Sequence, residues 1–127
     1  MRSSSILHIS FAKFGAFVGN FLAIPVVPVM KTESKKFPVV EDTCTIEAII
    51  QDAKALQASI LHFLGKNFAK SSNIKFINKN GQEEYGWTTS WGVSTRLTGG
   101  LIMTHSDDNG LVFPPNVSPT GIVICPI

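Results

Sequence analysis

Charge is in short supply in this sequence. Lysine, arginine, aspartate and glutamate make up 16% of its 127 residues, and the formal net charge is +2. So small a balance does not announce a nucleic-acid binder, which needs a basic face to grip phosphate. Cysteine is rarer. Cys44 and Cys125 have neither CxxC spacing nor clustered histidines around them, which argues against a structural zinc site. In a reducing compartment the expectation is two buried free thiols, not a disulfide. Long apolar runs are missing as well: the stretch 14–29 is interrupted by Gly15, Gly19, Asn20, Pro25 and Pro28, so it is no membrane span. The sequence shows no internal repeat and no low-complexity tract.

What remains is a core-forming chain of one-domain length. Apolar residues reach 44%, with nine Phe, so much of the surface must be uncharged or apolar. Phe11, Phe14, Val18, Phe21 and Leu22 recur at helical spacing and predict an amphipathic core helix. Leu22 to Val29 reads as extended, and Pro25 and Pro28 place it at a sheet edge. Residues 31–38 form a charged loop. The stretch 45–64 is ambiguous, because Ile46, Ile49, Ile50, Ala53, Leu56 and Ile60 fit a 3.6-residue period that by itself says helix. A helix is expected from His62 to Ser71. Asn80-Gly81 is the strongest hairpin turn signal, between 73–77 and 84–88. A further helix is expected from Ser94 to Asp107, with Gly99 and Gly100 costing it about 1 kcal/mol each relative to alanine. Asp107-Asp108-Asn109-Gly110 lacks the alternating ligands and closing glutamate of a calcium loop, and reads as a helix stop and turn. Residues 120–127 read as a short β-branched strand.

One corner carries chemistry. Trp91 and Gly92 close a strand, Ser94 and Thr95 can cap a helix, and Arg96 falls in that helix's first turn. A basic side chain there opposes the helix dipole, so an anion gives it a better reason than helix stability. Backbone N–H groups and one guanidinium make a reasonable phosphate site. An ordinary capped helix with a surface arginine is the competing reading.

The literal string Thr89-Ser90-Trp91-Gly92-Val93-Ser94-Thr95-Arg96, followed by Met103-Thr104-His105-Ser106-Asp107-Asp108-Asn109-Gly110-Leu111-Val112-Phe113-Pro114-Pro115, closely resembles the third class II signature of prolyl-tRNA synthetases of the archaeal and eukaryotic type. Lys31-Thr32-Glu33-Ser34, Thr45-Ile46-Glu47-Ala48 and His62-Phe63-Leu64-Gly65 extend the likeness, which runs from about Phe11 to Ile127. It implies an α+β fold, a partial class II antiparallel sheet with flanking helices. Within that sheet 45–64 would be a hairpin turning at Asp52-Ala53-Lys54, although alanine tolerates positive φ poorly. Residues 1–10 would be an extra N-terminal segment, 11–119 the C-terminal part of the catalytic core, and 120–127 the start of a connection to an anticodon-binding domain. The implied activity is ATP-dependent activation of proline and its transfer to tRNA-Pro, with Mg2+ as companion to ATP and no metal held by the chain. Arg96 matches the arginine on the terminal phosphates of ATP; Gln57, Gly92 and Ser94 fall at the same nucleotide site. His62, Trp91 and Ser90 match the proline pocket. Such enzymes are cytoplasmic homodimers.

Departures from the pattern qualify that reading. Ser59-Ile60-Leu61 stands where the family has Gly-Thr-Ser, Val29-Met30 where it has Gly-Arg, and Val39 where it has glycine. An isoleucine in a hydroxyl position cannot make the same hydrogen bonds. No segment matches the second class II signature or the dimer-forming first one, so the expectation is a ligase fragment inactive alone. A non-catalytic, synthetase-derived interaction module is the alternative. A secreted domain, with Arg2 opening a leader and Asn116-Val117-Ser118 as glycan acceptor, is a third reading.

Overall fold

A computed structural model describes residues 2–127, with side chains from Leu7 onward. Its first element, α1 (Arg2–Leu22), starts well before the periodic apolar residues begin. Phe11, Gly15 and Gly19 form its buried stripe, one turn apart. A Cβ on Gly15 would lie 2.8 Å from Ile46 Cδ1, and one on Gly19 would lie 2.6 Å from Val26 Cγ2. The glycines that weaken this helix locally are what let it lie against the sheet. Ala23 takes a left-handed φ of 52° and Ile24 N–H bonds to Gly19 C=O at 2.9 Å, ending the helix before Pro25.

The sheet beneath α1 has four antiparallel strands: β1 (Val26–Met30), β2 (Asp42–Ile49), β3 (Ala55–Gly65) and β6 (Thr88–Val93), in the order β1-β2-β3-β6. Pro28 sits in the edge strand, as its missing N–H requires. The hairpin reading of 45–64 is correct and the helical period misleads. Ile50 N–H donates to the Lys54 carbonyl at 3.0 Å and Ala53 N–H to the Ile50 carbonyl at 2.9 Å, across a turn in which Ala53 holds φ 62°. Strand β3 is longer than expected. His62 to Gly65 are strand, and the following helix α2 is only Asn67–Ser71, because β3 pairs with β2 on one side and β6 on the other through Phe63. Between α2 and β6, the short pair β4 (Lys75–Ile77) and β5 (Glu83–Tyr85) turns on Gly81, with φ 77° and Asn78 Oδ1 accepting from Asn80 and Gln82 N–H.

Helix α3 (Arg96–His105) follows β6 directly and lies on the same sheet face as α1. Of its two glycines, Gly100 is packing-driven, since a Cβ there would lie 3.3 Å from Leu56 Cδ2, whereas Gly99 meets only Met103 at 3.8 Å. His105 is structural: its Nε2 lies 2.8 Å from Leu22 C=O, tying α3 to the end of α1. The two-residue strands β7 (Ser106–Asp107) and β8 (Gly110–Leu111) follow, with Asp107 Oδ1 capping Asn109 and Gly110 N–H. The expected strand at 120–127 does not form. Those residues are exposed and irregular, since β propensity decides little without a strand to pair with.

Two clusters make the core under the helices. Phe11, Cys44, Ile46 and Leu61 form one; Ile24, Ala48, Ala58 and Leu101 form the other. Burying a side chain such as Phe11 or Leu61 contributes about 1.5–3 kcal/mol relative to leaving it in water. Both cysteines are free thiols, but only Cys44 is buried; Cys125 is exposed. Among the described residues no helix is long and apolar enough to cross a membrane.

Candidate functional site

With α1 and α3 on one face, the sheet's other face is left to short loops and to whatever its strands present there. Strand alternation decides which residues those are. Register places Thr43 beside His62 and His62 beside Ser90; one pair along, Thr45 beside Ile60 and Ile60 beside Gly92. Glu47 beside Gln57 continues the row past a bulge in β3. All these face away from α1.

The row is polar at its β2 end. Lys31 Nζ, from the loop after β1, bonds Glu47 Oε1 at 2.8 Å, and Thr45 Oγ1 donates to the same oxygen at 3.1 Å. Both side chains of the ion pair are 20% exposed. The Lys31 hydrogen bond holds the Glu47 carboxyl below its ordinary pKa, against a smaller upward push from burial. Lys36 fastens the rest of that loop through Glu33, the Glu41 carbonyl and Asp42. Thr43 Oγ1 lies 2.9 Å from His62 Nδ1 and anchors the imidazole, with the Phe37 ring 6.3 Å away.

Two cavities open along this row. One, of about 230 Å³, is lined by Gln57, Ala58, Ser59 and Ile60 of β3 with Gly92, Val93, Ser94 and Arg96. Arg96 reaches it because β6 runs straight into α3, where Ser94 Oγ accepts the Arg96 N–H at 3.3 Å. Among the described residues no carboxylate pairs with Arg96, and Ser59, 6% exposed, has a hydroxyl without a hydrogen-bond partner. A guanidinium with no carboxylate partner and the Ser94 hydroxyl beside it make this an anion site by composition. The other cavity, about 260 Å³, is lined by Phe37, Val40, His62, Leu64, Phe68 and Ser90.

The seven residues singled out from the sequence therefore fall into three places. Gln57, Gly92, Ser94 and Arg96 share the first cavity; His62 and Ser90 share the second. Trp91 shares neither. Paired with Leu61, it faces α1 and stacks edge-on against Phe11 at 5.4 Å and Phe14 at 6.3 Å. Neighbours in a strand point to opposite faces, so Trp91 lies across the sheet from His62 and Ser90. Phe37, Thr43 and the Lys31–Glu47 pair were not singled out from the sequence. Thr43 and Glu47 share the alternation of Thr45, a signal present in the string; Phe37 comes from the 31–38 loop, whose Lys36-Phe37-Pro38 the resemblance places near the proline site.

No lining residue of the first cavity is Asp, Glu, His or Cys, and no cluster of three such side chains occurs among the described residues. The donor set here does not suit a protein-held Mg2+, and no chemical step is assigned to one.

No family model matches the chain. Comparison with individual proteins is more informative. The chain is 59% identical over 114 residues to the proline–tRNA ligase of Bdellovibrio bacteriovorus, covering 90% of this chain and 23% of that protein. Against the proline–tRNA ligase of Phocaeicola vulgatus it is 50% identical over 126 residues, 99% of this chain and 25% of that protein, so the likeness extends into the first ten residues. Among solved structures, prolyl-tRNA synthetase from Cryptosporidium parvum complexed with L-proline and AMP superposes with a TM-score of 0.81 at 39% identity, over 93% of this chain and 26% of that one. The chain is homologous to a segment of prolyl-tRNA synthetases, shares that segment's α+β fold, and spans about a quarter of the length of these relatives.

Proposed function

We propose that this chain is a segment of the catalytic domain of a proline–tRNA ligase, carrying the phosphate end of an ATP site and part of a proline site. In the reaction of the whole ligase the proline carboxylate attacks the α-phosphorus of ATP. A carboxyl–phosphate bond forms, the α–β phosphoanhydride bond breaks and pyrophosphate leaves; the prolyl group then passes to tRNA-Pro. The first step needs positioning and positive charge more than an acid or a base. Arg96 would pair with the β- and γ-phosphates, Gly92 would let the backbone approach the nucleotide, and Gln57 and Ser94 would supply hydrogen bonds at its edge. His62, held by Thr43, and Ser90 would line the proline site. Trp91 has no ligand role and serves packing.

The observation that carries this reading is the convergence of Gln57 on β3 with Gly92, Ser94 and Arg96, about forty residues later, on one cavity. Titration calorimetry with ATP tests it. Arg96→Ala should weaken binding at least roughly tenfold, the loss of about one charge-assisted hydrogen bond, with the melting temperature unchanged. Equal affinity for wild type and variant overturns it.

No segment of this sequence matches the second class II signature, to which the resemblance assigns the α-phosphate and adenine, so turnover would need further segments. Contact with tRNA-Pro, homodimerisation and a cytoplasmic location are proposed for the whole ligase only. One observation favours a second reading, a non-catalytic interaction module: large apolar side chains such as Phe17, Phe37, Ile77 and Trp87 are between 58% and 73% exposed. Co-expression with the remaining segments of a relative separates the two. Co-purification with exchange activity supports the ligase reading, and co-purification without it supports the module.

A further inference from the structure

Away from the Arg96 and His62 cavities, another of about 300 Å³ opens between α1 and the edge strand β1. Its walls are His8, Ile9 and Ala12 of α1, Pro28 and Met30 of β1, and Cys44 of β2. Antiparallel register sets Met30 directly opposite Cys44, so the two side chains stand on one sheet face with Cβ atoms about 4.5–5.5 Å apart. Cys44 packs in the cluster that holds Phe11, which makes that face the one under α1. His8 comes three residues before Phe11 in the helix and reaches the same cavity from above. A thiol, a thioether and an imidazole from three elements therefore line one space. Among the described residues no Asp, Glu, Lys or Arg lines it with them. Cys44 is 4% exposed and Met30 46%, so the thioether stands at the mouth and the thiol at the floor. Met30 also stands where the prolyl-tRNA synthetase pattern has arginine. A guanidinium there would repel a cation, whereas a thioether offers it a lone pair.

We propose that Cys44, Met30 and His8 form a binding site for a soft monovalent metal ion of the Cu(I) class, held by two sulfurs and one ring nitrogen. Thiolate and thioether sulfurs select such an ion over hard cations such as Mg2+, which take oxygen ligands, and imidazole suits copper as a third donor. On binding, a bond forms between the Cys44 sulfur and the metal, the S–H bond breaks and the proton leaves to solvent; no oxidation state changes. Before binding, burial pushes the Cys44 thiol up, against a smaller lowering by the Val29 backbone, so the sulfur keeps its proton. Its contact with the Thr45 carbonyl, at 3.9 Å, is a weak one that a metal displaces at little cost. The site is separate from the nucleotide and proline cavities and does not depend on their reading.

The test uses the full chain carrying Cys125→Ser, which removes the exposed second thiol. Cu(I), kept reduced by ascorbate under argon, is titrated in competition with bicinchoninate, whose colour reports the copper it retains. The parent chain should withdraw one Cu(I) per molecule from the chelator. Met30→Leu and His8→Gln, added singly, remove one donor each while keeping side-chain bulk. Each should weaken Cu(I) binding at least roughly tenfold, since even the outer partners of metal ligands are worth 10–100-fold, and should leave the melting temperature of the metal-free chain unchanged. A parent chain that withdraws no copper overturns the proposal. So does either variant binding as tightly as the parent, because a lone thiol would be indifferent to both replacements.

Discussion

Glu47 is held by two donors on the open sheet face, and its titration should be visible in the stability of the whole protein. Its carboxyl pKa is depressed in the fold by the Lys31 hydrogen bond. A depressed carboxylate contributes stability that is fully present above its unfolded pKa and is lost as pH falls through the folded value. Urea unfolding of wild type should therefore weaken progressively below about pH 4.5. Glu47→Gln should cost about 1–3 kcal/mol near neutral pH, since it leaves the Lys31 ammonium without its carboxylate, and should flatten this acid limb. An unchanged acid limb in the variant would remove the pair from any role in stability. Trp91 teaches the complementary lesson. Ser90, Trp91 and Gly92 cannot all face one ligand from one strand, because side chains alternate with period two. That constraint was legible in the sequence, and the likeness of the string to a family signature concealed it.

Among elements, the β2–β3 hairpin and α1 show how far local pattern reaches. The turn at Asp52-Ala53-Lys54 was located correctly, including its defect: Ala53 adopts φ 62° where glycine would rest without strain. Ala53→Gly should accordingly raise stability by about 0.5–1 kcal/mol, the relief of left-handed strain exceeding the added chain entropy. A lower melting temperature in that variant would contradict it. Helix α1 was anticipated from five apolar positions, but its seating was not. Gly15 and Gly19 look like helix weakness in the sequence and are contact points in the fold. Gly19→Ala should cost about 1–3 kcal/mol despite alanine's better propensity, because its Cβ would meet Val26 at 2.6 Å and the Ile24 carbonyl at 3.0 Å. The His62–Ser71 helix was overextended for a related reason. His62 and Phe63 are paired on both sides, by β2 and β6, and Gly65 by β6, and pairing partners about twenty or more residues away leave no mark on local periodicity.

At the scale of the molecule, the layered plan explains why one sheet face is available at all. Both helices of the layer pack on the other face, and the order β1-β2-β3-β6 brings Gln57 and Arg96 to the same end of it. The fold class was legible, as was the grouping of Gln57, Gly92, Ser94 and Arg96. The placement of His62 and Ser90 in a second cavity with Phe37 and Phe68 was not, because it depends on loop and helix residues that meet the sheet only in the fold. The isolated chain should show no proline-dependent ATP–pyrophosphate exchange above background; robust exchange would contradict its proposed dependence on further segments. The most direct measurement is an amide NMR titration of the full chain with ATP. Perturbations should concentrate at Gln57, Gly92, Ser94 and Arg96 and vanish in Arg96→Ala. Shifts confined to the α1 face around Phe11 and Trp91, or none at saturating nucleotide, would contradict the placement of the phosphate site.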